Sequence, residues 1–210
     1  MTLQEQFGNI DIYVFDQLLR GRIASASAAG GRYGESVRVF DAGCGGGRNL
    51  VYLLRNGFDV CGNDIDPDAV AQVRAMAAAI APDARPDFRV EPIEDTSFPD
   101  AHADVVMASA VLHFARDPRH FEAMLRQMWR VLRPGGLFFA RLASTIGIED
   151  LIRPIGGGRY RLPDGSDRYL VDAAAIDEWT GRLSGVLLDP IKTTLVHGQR
   201  AMTTWVARRA

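Results

Sequence analysis

The sequence predicts an α/β fold: a largely parallel sheet with helices on both faces, ending in an antiparallel pair. From Val37 onward, short apolar runs suited to strands alternate with helical stretches as far as Leu142, the pattern produced by strands joined through crossover helices. The run Val39 to Leu50, VFDAGCGGGRNL, is a strand that empties into a glycine-rich loop and then a helix. Near the other end, two strand-like runs, Ile191 to His197 and Arg200 to Arg208, flank the tight Gly198-Gln199 turn and so pair antiparallel.

Ahead of this core, Ile10, Val14 and Leu18 recur at helical spacing beside Tyr13 and Phe15, which predicts a helix over residues 4–23. Small and polar residues from Ser25 to Ser36 then read as a connection. The first core strand ends on Asp41, the helix after the loop starts near Asn49 and stops at Gly57, and Phe58 to Asp64 is the second strand. Asp66 caps the following helix and Pro67 suits its first position, while Val70, Val73, Ala77 and Ile80 lie on its apolar face. Phe88 to Val90 is a short third strand, and Asp104 to Ala108 a fourth, apolar enough to be buried on both faces. A helix opens at Asp117-Pro118 with Phe121, Met124, Leu125, Met128 and Leu132 as a core stripe, and Arg133 to Gly136 breaks it before a fifth strand, Leu137 to Leu142.

Residues 144–171 leave this rhythm, with the triple glycine Gly156 to Gly158 followed by a hairpin turning at Pro163 to Ser166. A helix from Asp172 to Leu183 precedes the final pair. The whole reads as one domain: an N-terminal helix and linker (1–35), a core (36–143), an insertion (144–171), and a C-terminal helix and hairpin (172–210).

At 210 residues, with 47% hydrophobic and 24% charged, the chain has the composition of a globular domain with a sizeable core. A net charge of -2 supplies no broad basic field for nucleic acid. The start, MTLQEQFGNIDI, lacks the positive charge and apolar run of a signal peptide, and no stretch approaches a membrane span, so a cytoplasmic protein without a membrane partner is expected. Cys44 and Cys61 have no partners at metal-ligand spacing; they read as small buried fillers, and no metal is expected.

Glycines at the end of the first strand let the backbone pass close to a ligand, and the helix behind them points free N–H groups the same way. Asp41, two residues before Gly43, is the most telling residue. A carboxylate aimed into a pyrophosphate cradle would repel it, whereas a cofactor with a cationic end tolerates one. Asp64, at the tip of the second strand, is placed to take both hydroxyls of a ribose. That acid alone does not separate an adenosylmethionine site from an NAD site.

Asp41-x-Gly43-x-Gly45-x-Gly47 resembles motif I of the class I S-adenosylmethionine-dependent methyltransferases. The stretch from Val90 to Pro118 and the run Arg130 to Gly136 resemble later motifs of that family, so the likeness extends from about Phe40 to Ala143. It implies a Rossmann-like, doubly wound, seven-stranded sheet, mostly parallel with an antiparallel last strand, and S-adenosyl-L-methionine as cofactor. Carried over residue by residue, it places Asp41, Gly43, Cys44 and Gly45 at the methionyl end, Asp64 at the ribose, and Ile93 and Glu94 at the adenine, with Ile65 and Ser109 also among the cofactor-binding residues. Pro92 stands where the family often has an acid for the adenine amino group, which leaves that contact to Ile93, Glu94 or Asp95. Within the family, GCGGGRNLVYLLRNGFDV resembles the tellurite-resistance methyltransferases, whose hairpin histidine and arginines His197 and Arg200 loosely match, and the type 11 small-molecule group fits equally well.

The implied reaction is in-line methyl transfer to a small-molecule acceptor. The base-amino signature D/N-P-P-Y/F is absent, which again argues against nucleic acid. Ser109, just past the fourth strand, lies at the ligand edge of the sheet, or simply satisfies a strand end. His113 and His197 are candidate general bases, or else packing and surface histidines. Arg48 either attracts an anionic acceptor or meets solvent. A nicotinamide oxidoreductase is a rival reading, opposed by Asp41 and the antiparallel pair; a non-catalytic S-adenosylmethionine-binding sensor is another. The N-terminal helix, the insertion with a hinge at Gly156 to Gly158, and the His113 region are expected to wall the acceptor pocket.

Overall fold

The computed structural model describes residues 2–23 and 37–210; the expected linker from Ser25 to Ser36 lies outside them. Two short helices, α1 (Leu3–Phe7) and α2 (Ile12–Leu19), precede the sheet. They replace the single helix expected over residues 4–23. Gly8 adopts φ 63, which breaks the first helix, and the Asp11 side chain caps the second by accepting from the Tyr13 N–H at 3.0 Å.

The core then alternates as its periodicity dictates: β1 (Arg38–Ala42), α3 (Leu50–Arg55), β2 (Asp59–Asp64), α4 (Pro67–Ile80), β3 (Asp87–Val90), β4 (Ala103–Ser109), α5 (Pro118–Val131) and β5 (Leu132–Ser144). Asp66 and Asp117 cap α4 and α5, each followed by a proline in the first turn. The stripe Phe121, Met124, Leu125 and Met128 on α5 is buried against the sheet; each such side chain contributes about 1.5–3 kcal/mol.

The insertion forms a small antiparallel sheet of β6 (Arg153–Gly156), β7 (Arg159–Arg161) and β8 (Asp167–Tyr169). Then follow α6 (Ala173–Arg182), β9 (Gly185–Leu187), β10 (Lys192–Val196) and β11 (Arg200–Arg209). The main sheet runs β10-β11-β5-β4-β1-β2-β3, with β9 pairing β11 beside that path. β11 alone is antiparallel to β5, whereas the β1 to β5 pairings are parallel. The carboxyl ends of β1, β2, β4, β5 and β10 therefore share one edge, where β11 begins. At that edge, between β1 and β4, the strand order reverses, the place where open sheets of this kind bind ligands.

Three local expectations need correcting. β5 starts at Leu132 rather than Leu137: Arg133 to Gly136 continue as extended chain, accommodated by a register shift where Leu132 pairs Ala103 and Leu137 pairs Val105. Leu132, placed on the helix stripe by its spacing, is therefore a strand residue. Gly156 to Gly158, all at positive φ, form the β6–β7 turn rather than a hinge, and a Cβ on Gly158 would lie 2.5 Å from the Tyr169 ring. Leu162 and Leu170 anchor the insertion on Ala143 and Met202 in a separate apolar cluster.

β1 and β2 approach so closely that a Cβ on Gly62 would lie 2.6 Å from the Asp41 carbonyl oxygen. Backbone cannot yield as a side-chain tip can, so Gly62→Ala is expected to lower stability by about 1–3 kcal/mol. Chemical denaturation checks this; an unchanged unfolding free energy would show that the strands separate without cost.

Candidate active site

The chain leaves β1 through a loop that only glycine accommodates at three points, with φ of 68 at Gly43, 50 at Gly45 and 80 at Gly47. At two of them the reason is also steric. A Cβ would come within 2.5 Å of Val111 at Gly43 and within 2.6 Å of Val73 and Met76 at Gly47. Gly45 has open space where its side chain would stand.

Backbone and carboxylate hydrogen bonds fix this loop to β2. Cys44 N–H donates to the Asn63 carbonyl at 2.9 Å, and Gly45 N–H donates to Asp64 Oδ2 at 2.9 Å. Asp64 Oδ1 accepts from Asp66 N–H at 3.0 Å. Asp64 thus orders the loop as well as facing the cleft. Each of its oxygens keeps acceptor capacity beyond the bond it makes, which is what a diol offering two O–H donors requires.

Asp41 closes β1 and is buried. Burial pushes its carboxyl up to about 7; the Arg48 guanidinium opposes the rise and the Asp64 carboxylate adds to it. A cation brought beside Asp41 would draw the value back down. The residues present therefore fit an adenosine-type cofactor with a cationic amino-acid end.

Two chambers open on the carboxyl edge of the sheet and share Gly43, Ala110 and Phe114. The smaller, about 540 Å³, is lined by Asp64, Ile65, Pro92, Ile93 and Glu94. Ile65 is exposed and Ile93 buried, giving the chamber two apolar walls. The Glu94 carboxylate is already engaged by His120 Nε2 at 2.9 Å and Arg116 at 3.4 Å. The Pro92 carbonyl accepts from Asn63 Nδ2 at 3.2 Å. Between the chambers Ala110 sits at φ 65 and donates its N–H to the Arg141 carbonyl at 2.7 Å. A non-glycine residue held there costs on the order of 1 kcal/mol, a strain of the kind found at ligand sites.

The larger chamber, about 790 Å³, is lined on one side by Gly43 to Gly46, Arg48 and Ser109. Opposite stand His113 and parts of the insertion and the C-terminal hairpin, and Gly8 and Asn9 close one end. Asp11 holds that end in place. Its Oδ2 accepts from Arg141 at 2.8 Å and faces Arg48 at 3.7 Å and Ser109 Oγ at 3.5 Å, while its N–H donates to Asn49 Oδ1 at 2.9 Å. The N-terminal segment is therefore built into the core: Val14 is fully buried and the Tyr13 hydroxyl bonds Thr194 Oγ1 at 2.8 Å.

His113 is buried, and burial first, then the nearby Arg168 and Arg200 guanidiniums, lower it to about 4. Its Nδ1 accepts from the Ala143 N–H at 3.3 Å, so the neutral ring carries its proton on Nε2. As built it is a donor, not the base its position suggested. His197 is exposed at φ 50 and lies outside both chambers. Arg48 donates to Ser109 Oγ at 3.0 Å, tying both into the Asp11 network. Cys44, within the loop, is buried, and burial raises its thiol well above the ordinary range. Asp11, Arg141, Arg168 and His120 escaped the sequence reading. Only Asp11 carried a local signal, as a helix cap; its ion pair reaches 130 residues along the chain.

Comparison with known proteins agrees with this geometry. A family described as a methyltransferase domain matches residues 40–140. A ubiquinone biosynthesis O-methyltransferase of Xanthomonas axonopodis pv. citri is 30% identical over 173 residues, covering 78% of this chain and 68% of that protein. Among solved structures, a SAM-dependent methyltransferase of Methanosarcina mazei superposes with a TM-score of 0.69 at 19% identity, covering 83% of this chain and 93% of that one. The 1,6-didemethyltoxoflavin-N1-methyltransferase of Burkholderia thailandensis, solved with its substrate and S-adenosylhomocysteine, gives 0.66 at 19% identity, covering 95% and 81%.

Asp41 makes the apo-protein's stability depend on pH with a defined sign. Its folded value of about 7 lies above the ordinary 3.8, so the native state holds a proton there that the unfolded chain has released. The stabilisation is complete below about pH 4 and is lost as pH rises to about 7. Asp41→Asn, which cannot ionise, should therefore gain on the wild type over that interval, by up to about 4 kcal/mol. Denaturation of both proteins from pH 4 to 8 checks this; a constant difference would show that Asp41 is ionised throughout.

Proposed function

We propose that this chain, which belongs to the S-adenosylmethionine-dependent methyltransferases, transfers a methyl group to an oxygen of a small molecule held in the larger chamber. One observation carries the reading: the two chambers meet at Gly43 and Ala110, so a cofactor lodged in the smaller would present its reactive end to the larger. Oxygen as acceptor atom is supported by the likeness to ubiquinone biosynthesis O-methyltransferases.

When bound, the cofactor supplies a methyl group on a cationic sulfur, open to in-line displacement by an acceptor oxygen. Asp64 would accept from the ribose hydroxyls, and Ile65, Ile93 and Glu94, the last held by His120 and Arg116, would hold the base. Asp41 and the backbone of Gly43, Cys44 and Gly45 hold the cationic end. Ser109 and Arg48, fixed through Asp11, form the near wall for the acceptor. The chain's contribution is alignment and exclusion of water.

Neither His113 nor Asp164, which both line the larger chamber, is placed to take up a proton near neutrality. His113 is lowered to about 4, and the Ser166 hydrogen bonds hold the Asp164 carboxyl below its usual range. The acceptor therefore reacts as the anion it already is at the working pH. His113→Gln, whose amide reproduces the donor–acceptor pattern of the neutral ring, should keep turnover within about tenfold of wild type. Removal of a general base would cost about 10²–10⁴-fold. Transfer of labelled methyl to a panel of carboxylic acids and nitrophenols, all anionic at neutral pH, tests both statements. A hundredfold loss in a folded His113→Gln protein would make His113 the base, and absence of any oxygen-methylated product would remove the oxygen reading.

A further inference from the structure

The far wall of the larger chamber lies outside the cofactor loop and carries more positive than negative charge. Arg168 on β8 and Arg200 at the start of β11 both line it, next to an apolar floor of Ala143, Leu162 and Met202. Neither guanidinium meets a carboxylate at hydrogen-bond distance among the described residues. Arg168 donates to the Asp167 carbonyl at 2.8 Å and lies over the Phe114 ring at 4.7 Å, and Arg200 stands 3.9 Å from Asp164 Oδ2. Asp164, the one acid on this wall among the described residues, spends its other oxygen on the Ser166 N–H at 2.9 Å and hydroxyl at 2.6 Å. The near-wall arginines differ, since Arg48 and Arg141 share the buried Asp11 carboxylate.

Two guanidiniums facing one committed carboxylate leave a positive excess, and with Arg200 half-exposed and Arg168 half-buried both forks stay open to charge-assisted hydrogen bonds to an anion entering the chamber. His113 adds a neutral donor on the same wall, because the Ala143 N–H occupies its Nδ1. The depression of its pKa by Arg168 and Arg200 places both cations near the ring.

We infer that the acceptor carries an oxyanionic group, a carboxylate or phosphate apart from the atom that receives the methyl, bound by Arg168 and Arg200 with the His113 Nε2–H. This rests on the methyltransferase reading and narrows its substrate class. The arginines come from the insertion and the hairpin, the parts not committed to the cofactor, so they serve selectivity. The apolar floor beneath them suits a ring or short hydrocarbon attached to the anion.

The test titrates benzoate, phenyl phosphate and benzamide into protein saturated with S-adenosylhomocysteine, so that the cofactor's own carboxylate is already housed. Binding is read by calorimetry and by the ring signals of His113. At least one anion should bind saturably and shift the His113 signals, with benzamide about tenfold weaker or more. A preference for benzoate identifies a carboxylate, and one for phenyl phosphate a phosphate. Arg168→Gln and Arg200→Gln should each weaken the bound anion about tenfold or more while leaving S-adenosylhomocysteine affinity unchanged. Arg200→Lys, with charge kept and fork lost, should fall between. Equal binding of benzamide, no saturable anion binding, or unchanged anion affinity in the folded glutamine variants would overturn the inference. A parallel loss of S-adenosylhomocysteine affinity in those variants would assign the arginines to the cofactor and overturn it too. The anion titration is repeated without S-adenosylhomocysteine, so wild-type protein that binds the anion but not the nucleoside would contradict the methyltransferase reading alone.

Discussion

A single carboxylate, Asp11, joins the parts of this molecule that sequence keeps far apart. Its side chain has no solvent exposure, caps α2, and pairs with Arg141 on β5 while facing Arg48 behind the glycine loop. Its backbone N–H meets Asn49, the residue that opens α3. The N-terminal segment is thereby fixed across the edge of the sheet, and Gly8 and Asn9 become one end of the larger chamber. Removing one side of a buried pair costs about 3–5 kcal/mol, because the other charge is left in a poor solvent. Substrate wall and fold stability are here one interaction.

Electrostatics divides the cleft by task. Acids stand at the ends of the first two strands: Asp41, buried, closes β1, and Asp64, at the end of β2, lines the smaller chamber. Cations line the larger chamber, with Arg48 and Arg141 balanced by Asp11, and Arg168 and Arg200 in excess. The imidazole between them is held neutral by burial and its neighbours. The strained Ala110 turn, pinned to Arg141, sets the boundary between the two halves.

Local rules made much of this legible in the sequence. The strand–loop–helix at Asp41 to Leu50, the caps Asp66, Asp117 and Asp172, and the final hairpin all follow from side chains acting within a few residues. Errors arose where tertiary contact decides. Apolar spacing through Ile10 could not show that Gly8 would turn left-handed and that Asp11 would be drawn to Arg141. Gly156 to Gly158 looked like a hinge, yet a third strand, β6, turns them into a hairpin packed on Tyr169. The role of His113 depends on the Ala143 N–H, thirty residues away. Arg168 carries no local signal in the sequence and Arg200 only a loose family likeness, and the folding of the insertion against β11 brings them to one wall.

The central claim is that Asp64 and the glycine loop it orders form the seat of S-adenosylmethionine. Calorimetric titration of S-adenosylhomocysteine into the wild type and Asp64→Ala tests it most directly, with thermal melting to establish that the variant is folded. The account predicts one site per chain in the wild type and a loss of about 1.5–3 kcal/mol per charge-assisted hydrogen bond removed in the variant. It also predicts no response to NADH. Equal affinity in the two folded proteins, or binding of NADH in place of S-adenosylhomocysteine, would contradict it.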